Sequence, residues 1–131
     1  MIRYEEWIYR ANSSLELAQT KLVNYPSYED SCFQAQQAAE KAIKGLLIYF
    51  GVDPEWTHNI DKLIRELKKF IEIPANINDA AQLTNYAVTT RYPGEFDDIT
   101  KEEYEQAIKT AQECIDWVEN TIKEIEDKKN T

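Results

Sequence analysis

From Thr100 to the last residue the chain contains no glycine and no proline. Within that stretch Tyr104, Ala107, Ile108, Ala111, Cys114, Ile115, Val118, Ile122 and Ile125 recur at spacings of three and four. This is the period of an amphipathic α-helix. Thr100 and Glu103 read as a capping box that starts it. An apolar stripe of that length must be covered by other helices, so the stretch commits the chain to a helical bundle. Its near-heptadic spacing also suits packing on a second copy, which predicts a homodimer.

Four more helices fit upstream. The first, at about 3–23, carries Trp7, Ala11, Leu15, Ala18 and Leu22 on one face, and Pro26 disfavours helical geometry at Tyr25. The second, at about 28–50, starts from Ser27 and carries Cys32, Ala35, Ala39, Ile43, Leu46 and Phe50, with Gly51 as its stop. The third, at about 58–72, takes Thr57 as its cap and buries Ile60, Leu63, Ile64, Leu67 and Ile71 before Pro74. The fourth, at about 77–91, buries Ile77, Ala81, Thr84 and Val88. Three glycines and four prolines in 131 residues leave little turn chemistry for a β fold. The expectation is an all-α, five-helix up-and-down bundle with a four-helix-bundle-like core. It forms a single domain over 1–131, and the tail at about 126–131 frays.

Composition removes several function classes. The net charge is −9, so there is no basic footprint for duplex DNA. No apolar run approaches the length of a membrane span, and the charged N-terminus lacks a signal-peptide core. A cytoplasmic protein is expected. Cys32 and Cys114 fall on apolar helix faces and read as buried thiols. With one histidine and no CxxC spacing, neither a metal site nor a cofactor is expected. There is no glycine-rich phosphate loop and no nucleophile elbow.

Three places could carry chemistry. The first is "TTRYPGEF" at 89–96. Seven residues are close to two helical turns, so residues 77, 84 and 91 share a face, which turns Arg91 inward at the helix's C-terminal end. Arg91 then either satisfies carbonyls and carboxylates, or offers a guanidinium fork to phosphate with Tyr92 as a stacking ring. The second is His58. Placed just after a Thr57 cap, it would lie beside the positive helix end, which disfavours its protonation. The third is the side of the second helix bearing Gln37, Lys41 and Lys44. Glu40 and Lys44 make a favourable i,i+4 pair there, either on a solvated face or lining a groove with Arg91.

The segments "CFQAQQAAEKAIKGLL" (32–47), "THNIDKLIREL" (57–67) and "RYPG" (91–94), in that order before a long last helix, resemble the small stand-alone HEPN proteins of prokaryotes. The resemblance runs from about Tyr4 to Ile125. It implies a helical bundle, usually dimeric, often paired with a minimal nucleotidyltransferase in toxin–antitoxin-like systems, and a nucleotide-binding role. Many members of the wider superfamily are metal-independent ribonucleases, marked by an arginine followed after four to six residues by a histidine. Here Phe96, Asp97 and Asp98 stand five to seven residues after Arg91, and no arginine precedes a histidine at that spacing. The expectation is therefore a non-catalytic module that contacts nucleotide or RNA through Arg91, Tyr92, His58, Gln37, Lys41 and Lys44. The alternatives are a divergent ribonuclease using Arg91 and His58, and a ligand-free interaction scaffold.

Overall fold

The computed structural model describes residues 3–88 and 98–130. It contains α1 (Tyr4–Ala18), α2 (Tyr28–Tyr49), α3 (Ile60–Leu67), α4 (Ala75–Asn78), a 3₁₀ turn (Asp79–Thr84), α5 (Asn85–Val88) and α6 (Lys101–Lys129). Taken as one run, 75–88 is the fourth of five helical segments, and the fold is an all-α bundle.

Side-chain contacts fix the helix directions. The Tyr4 ring meets Tyr49 at 5.1 Å, and Lys41 Nζ donates to Ser14 Oγ at 2.8 Å, so α1 runs antiparallel to α2. Tyr28 stacks on Tyr104 at 4.7 Å, while Tyr49 donates to Glu126 at 2.7 Å, so α2 and α6 are parallel. Asn76 donates to Glu113, and Tyr86 to Glu103, so segment 75–88 is antiparallel to α6. Segment 50–59 returns the chain to the level of Gln36, and Phe70 then stacks on Phe50 at 5.3 Å. Hence α3 runs in the sense of α2.

These neighbours enclose α2. Its buried residues include Ala35, Ala38, Ala39, Ala42, Ile43, Leu46 and Leu47, which cover far more than one stripe. Small side chains let the other helices close in. At Gly45 an added Cβ would lie 3.2 Å from Trp7 Cβ and 3.3 Å from Ile8 Cγ1. The alanine and glycine content of α2 thus sets how closely α1 approaches.

Several boundaries differ from expectation. Helix α1 stops at Ala18, and Leu22 lies beyond it, 42% exposed. Ser27 occupies the N-cap position of α2, but its hydroxyl donates to Glu29 instead of capping a backbone N–H. Helix α3 begins two residues later than expected. Asn59 is its N-cap, and Thr57 Oγ1 instead accepts from the Asn59 N–H at 3.0 Å. His58 is therefore outside the helix. The 75–88 run buries Ile77, Ala80 and Leu83, whereas Ala81 and Thr84 are half-buried. A 3₁₀ turn advances three residues per turn, not 3.6, and shifts the buried face onto an every-third-residue line. The expectation for the Val88 side chain lies outside the described residues.

Thr100 caps α6 as expected, accepting from the Glu103 N–H at 3.1 Å. Glu103 does not complete the box, because its carboxylate takes the Tyr86 hydroxyl at 2.6 Å. The tail expected to fray is helical through Lys129, where Glu126 holds both Tyr49 and Lys129. Most of the apolar stripe of α6 is buried within the chain. Ile108, Trp117 and Ile125 remain half-buried at its edges.

Candidate functional site

The centre of the candidate site is a buried carboxylate on α2. Glu40 is 3% exposed and Gln36 is fully buried. Burial of this kind requires partners for every polar atom. Glu40 Oε2 receives Lys44 Nζ at 2.9 Å, and Oε1 receives Gln36 Nε2 at 2.9 Å. The third partner comes from another element. His58 Nδ1 lies 2.9 Å from Glu40 Oε1. Gln36 Nε2 also reaches the His58 carbonyl at 3.1 Å, and Gln37 Nε2 donates to Gln36 Oε1 at 2.7 Å.

The electrostatics follow from these contacts. Burial pushes the Glu40 carboxyl up, but hydrogen bonds from Lys44, Gln36 and His58, with the charge of Lys44, outweigh it and hold it below its ordinary value. Glu40 is thus an ionised acceptor. His58 must then place its proton on Nδ1, which leaves Nε2 as the second polar atom of a ring that is 62% exposed. A histidine oriented by a buried carboxylate is a workable proton acceptor or ligand contact. The helix-terminus environment expected for His58 is replaced by this carboxylate, because α3 starts after Asn59.

The lysines are engaged inside the bundle. Lys44 is 8% exposed, paired with Glu40, and 5.6 Å from the centre of the Trp7 ring. Lys41 bonds Ser14, and burial lowers its ammonium below the ordinary value, with Arg10 and Lys44 adding to that and Glu40 opposing it. Of the two readings for this side of α2, the solvated face does not apply to Glu40 and Lys44. Arg91 and Tyr92 lie outside the described residues. The inward placement of Arg91 had assumed an unbroken α-helix from 77 to 91, and the 3₁₀ turn removes that premise.

The whole arrangement can be set against known proteins. A family model described as HEPN domain matches residues 4–121. The chain belongs to the HEPN family. A HEPN homologue of known structure, the archaeal protein ST0689, is 32% identical with a TM-score of 0.71, over 93% of this chain and 99% of that one. TT1696 from Thermus thermophilus is 35% identical with a TM-score of 0.78, over 92% of this chain and 98% of that one. "Putative toxin MJ1304" of Methanocaldococcus jannaschii is 29% identical, over 94% of this chain and 91% of that protein.

In this HEPN chain, sequence reasoning selected His58, Gln37 and Lys44, and the structure brings them together. It missed Gln36 and Glu40 as the buried centre that joins them. The alanines at 35, 38, 39 and 42 signalled a closely packed helix, but an i,i+4 Glu–Lys pair does not by itself mark position 40 as buried. Both cysteines are buried, as expected, and burial pushes the Cys114 thiol up to about 12. Among the described residues no helix is long and apolar enough to cross a membrane.

Proposed function

We propose that this HEPN protein is one member of a toxin–antitoxin-like pair and acts as a binding module, not as a ribonuclease. In this reading it contacts nucleotide or RNA at His58, with Arg91 and Tyr92 as further contacts. It works in the cytoplasm as a homodimer with a minimal nucleotidyltransferase partner. The toxin name of the Methanocaldococcus relative supports the pairing. One observation carries the non-catalytic part. Phe96, Asp97 and Asp98 occupy the place of the ribonuclease histidine after Arg91. Carboxylates there repel an RNA phosphate.

Calorimetric titration with the four nucleoside monophosphates and a short single-stranded RNA tests the binding. The expected result is saturable heat with at least one of them, reduced about tenfold or more in affinity by Arg91→Ala. No heat with any of them would end the ligand-binding reading and leave the scaffold.

A second reading has a specific observation behind it. The Glu40–His58 pair has the geometry of an oriented general base. If it serves a divergent ribonuclease, His58→Ala abolishes cleavage of RNA by the purified protein.

A further inference from the structure

A separate cavity of about 470 Å³ lies where α1 and α2 meet the 53–56 segment. Trp7, Trp56, Ile48 and Pro54 line it, together with Asp53 and Glu55. Its size falls within the range of pockets that hold a compact group. Trp56 is fully exposed, the most exposed of the large apolar side chains among the described residues, and a large apolar ring in water is an unfavourable use of surface.

The charges around the cavity are one-sided. Lys44 is its one lining cation, and Glu40 already neutralises it at 2.9 Å. Asp53 and Glu55 have no ion-pair partner among the described residues, and both are exposed. A phosphate or carboxylate entering here would meet two uncompensated carboxylates, so anionic ligands are disfavoured. A cation gains from both carboxylates and from the indole faces. Trp7 already shows that chemistry, since it carries the Lys44 ammonium over its ring.

We infer that this cavity receives an arginine side chain presented by a basic segment of a partner protein. A guanidinium is flat, weakly hydrated and always charged, so it stacks on an indole while its edge donates to carboxylates; an ammonium does only part of this. A protein occupant also covers Trp56, and tryptophan and arginine are both enriched among the residues that dominate interface energetics. The −9 charge of the chain steers a basic partner toward it. The inference rests on the proposed pair, since it names how the partner docks; the cavity adjoins the Glu40–His58 cluster through Lys44 but is read without any nucleotide.

Tryptophan fluorescence of the purified chain is titrated with a nine-residue Arg/Gly peptide, its Lys/Gly and Glu/Gly counterparts, and AMP. The expected result is a saturable change with the arginine peptide, several-fold weaker binding of the lysine peptide, and no response to glutamate peptide or AMP. Trp56→Ala, at an exposed position, weakens arginine-peptide binding at least tenfold when followed by calorimetry. Asp53→Asn/Glu55→Gln does the same, while Glu16→Gln/Glu124→Gln, equal in net charge but remote, changes it less than twofold. Three results would overturn the inference: equal loss in both double variants, which means non-specific attraction; unchanged binding by Trp56→Ala; or a preference for AMP, which means a nucleobase pocket. Loss of peptide binding by Arg91→Ala but not by Trp56→Ala would likewise refute it.

Discussion

Glu40 is the residue on which the interior of the bundle depends most. It is an ion held among Lys44, Gln36 and His58 with almost no contact with water. Removing one partner of such a pair leaves the other charge buried and uncompensated, at a cost of about 3–5 kcal/mol. Glu40→Ala should therefore destabilise by that order in urea unfolding at neutral pH. The pH dependence follows from the same contacts. The folded-state pKa of Glu40 is depressed, so its contribution is complete above its ordinary value of 4.5 and declines as pH falls through the folded-state value. In Glu40→Gln that part of the acid-induced loss should vanish, giving a flatter stability profile below pH 4.5 than in the wild type. An identical acid limb in both proteins would show that folding does not lower the Glu40 pKa. An i,i+4 Glu–Lys pair usually marks a wet surface, and this one was hard to read as buried because its third partner, His58, comes from a different element.

At the scale of elements, the helices with strong periodicity were legible in the chain, and the irregular ones were not. Helix α6 starts at its Thr100 cap as read from "TKEE". The 75–88 run was misjudged in phase because Ala80 and Ala81 are equally small, so spacing alone could not distinguish 3₁₀ from α geometry. The start of α3 shifted because "THN" offers two cap residues, and Asn59 took the position while Thr57 bonded the Asn59 N–H. Helix contact distance is set at Gly45. Alanine there gains about 1 kcal/mol of helix propensity. Its Cβ, however, would press on Trp7 Cβ at 3.2 Å, close to the α1 backbone where little can yield. Gly45→Ala should thus come out destabilising by about 1–2 kcal/mol in chemical denaturation despite the propensity gain. A stabilised variant would mean that α1 is free to move outward.

For the whole molecule, the fold class and the family were readable from three ordered segments and a long final helix. The assembled site was only partly readable: Gln37, Lys41 and Lys44 were read as one helix side that could line a groove, with His58 as a separate candidate, yet Lys44 and Lys41 turn out to be held by Glu40 and Ser14. A phosphate cradle built from those lysines would have to break these bonds, so the proposed ligand contacts shift toward His58 and the stretch after Val88. The central claim is that this chain binds without cutting. Incubation of purified protein with a fluorescently labelled single-stranded RNA, run in parallel on native and denaturing gels, addresses both halves at once. The expected outcome is a shifted band on the native gel, lost in Arg91→Ala, with full-length RNA on the denaturing gel. Shortened RNA that becomes full-length again in His58→Ala would contradict it.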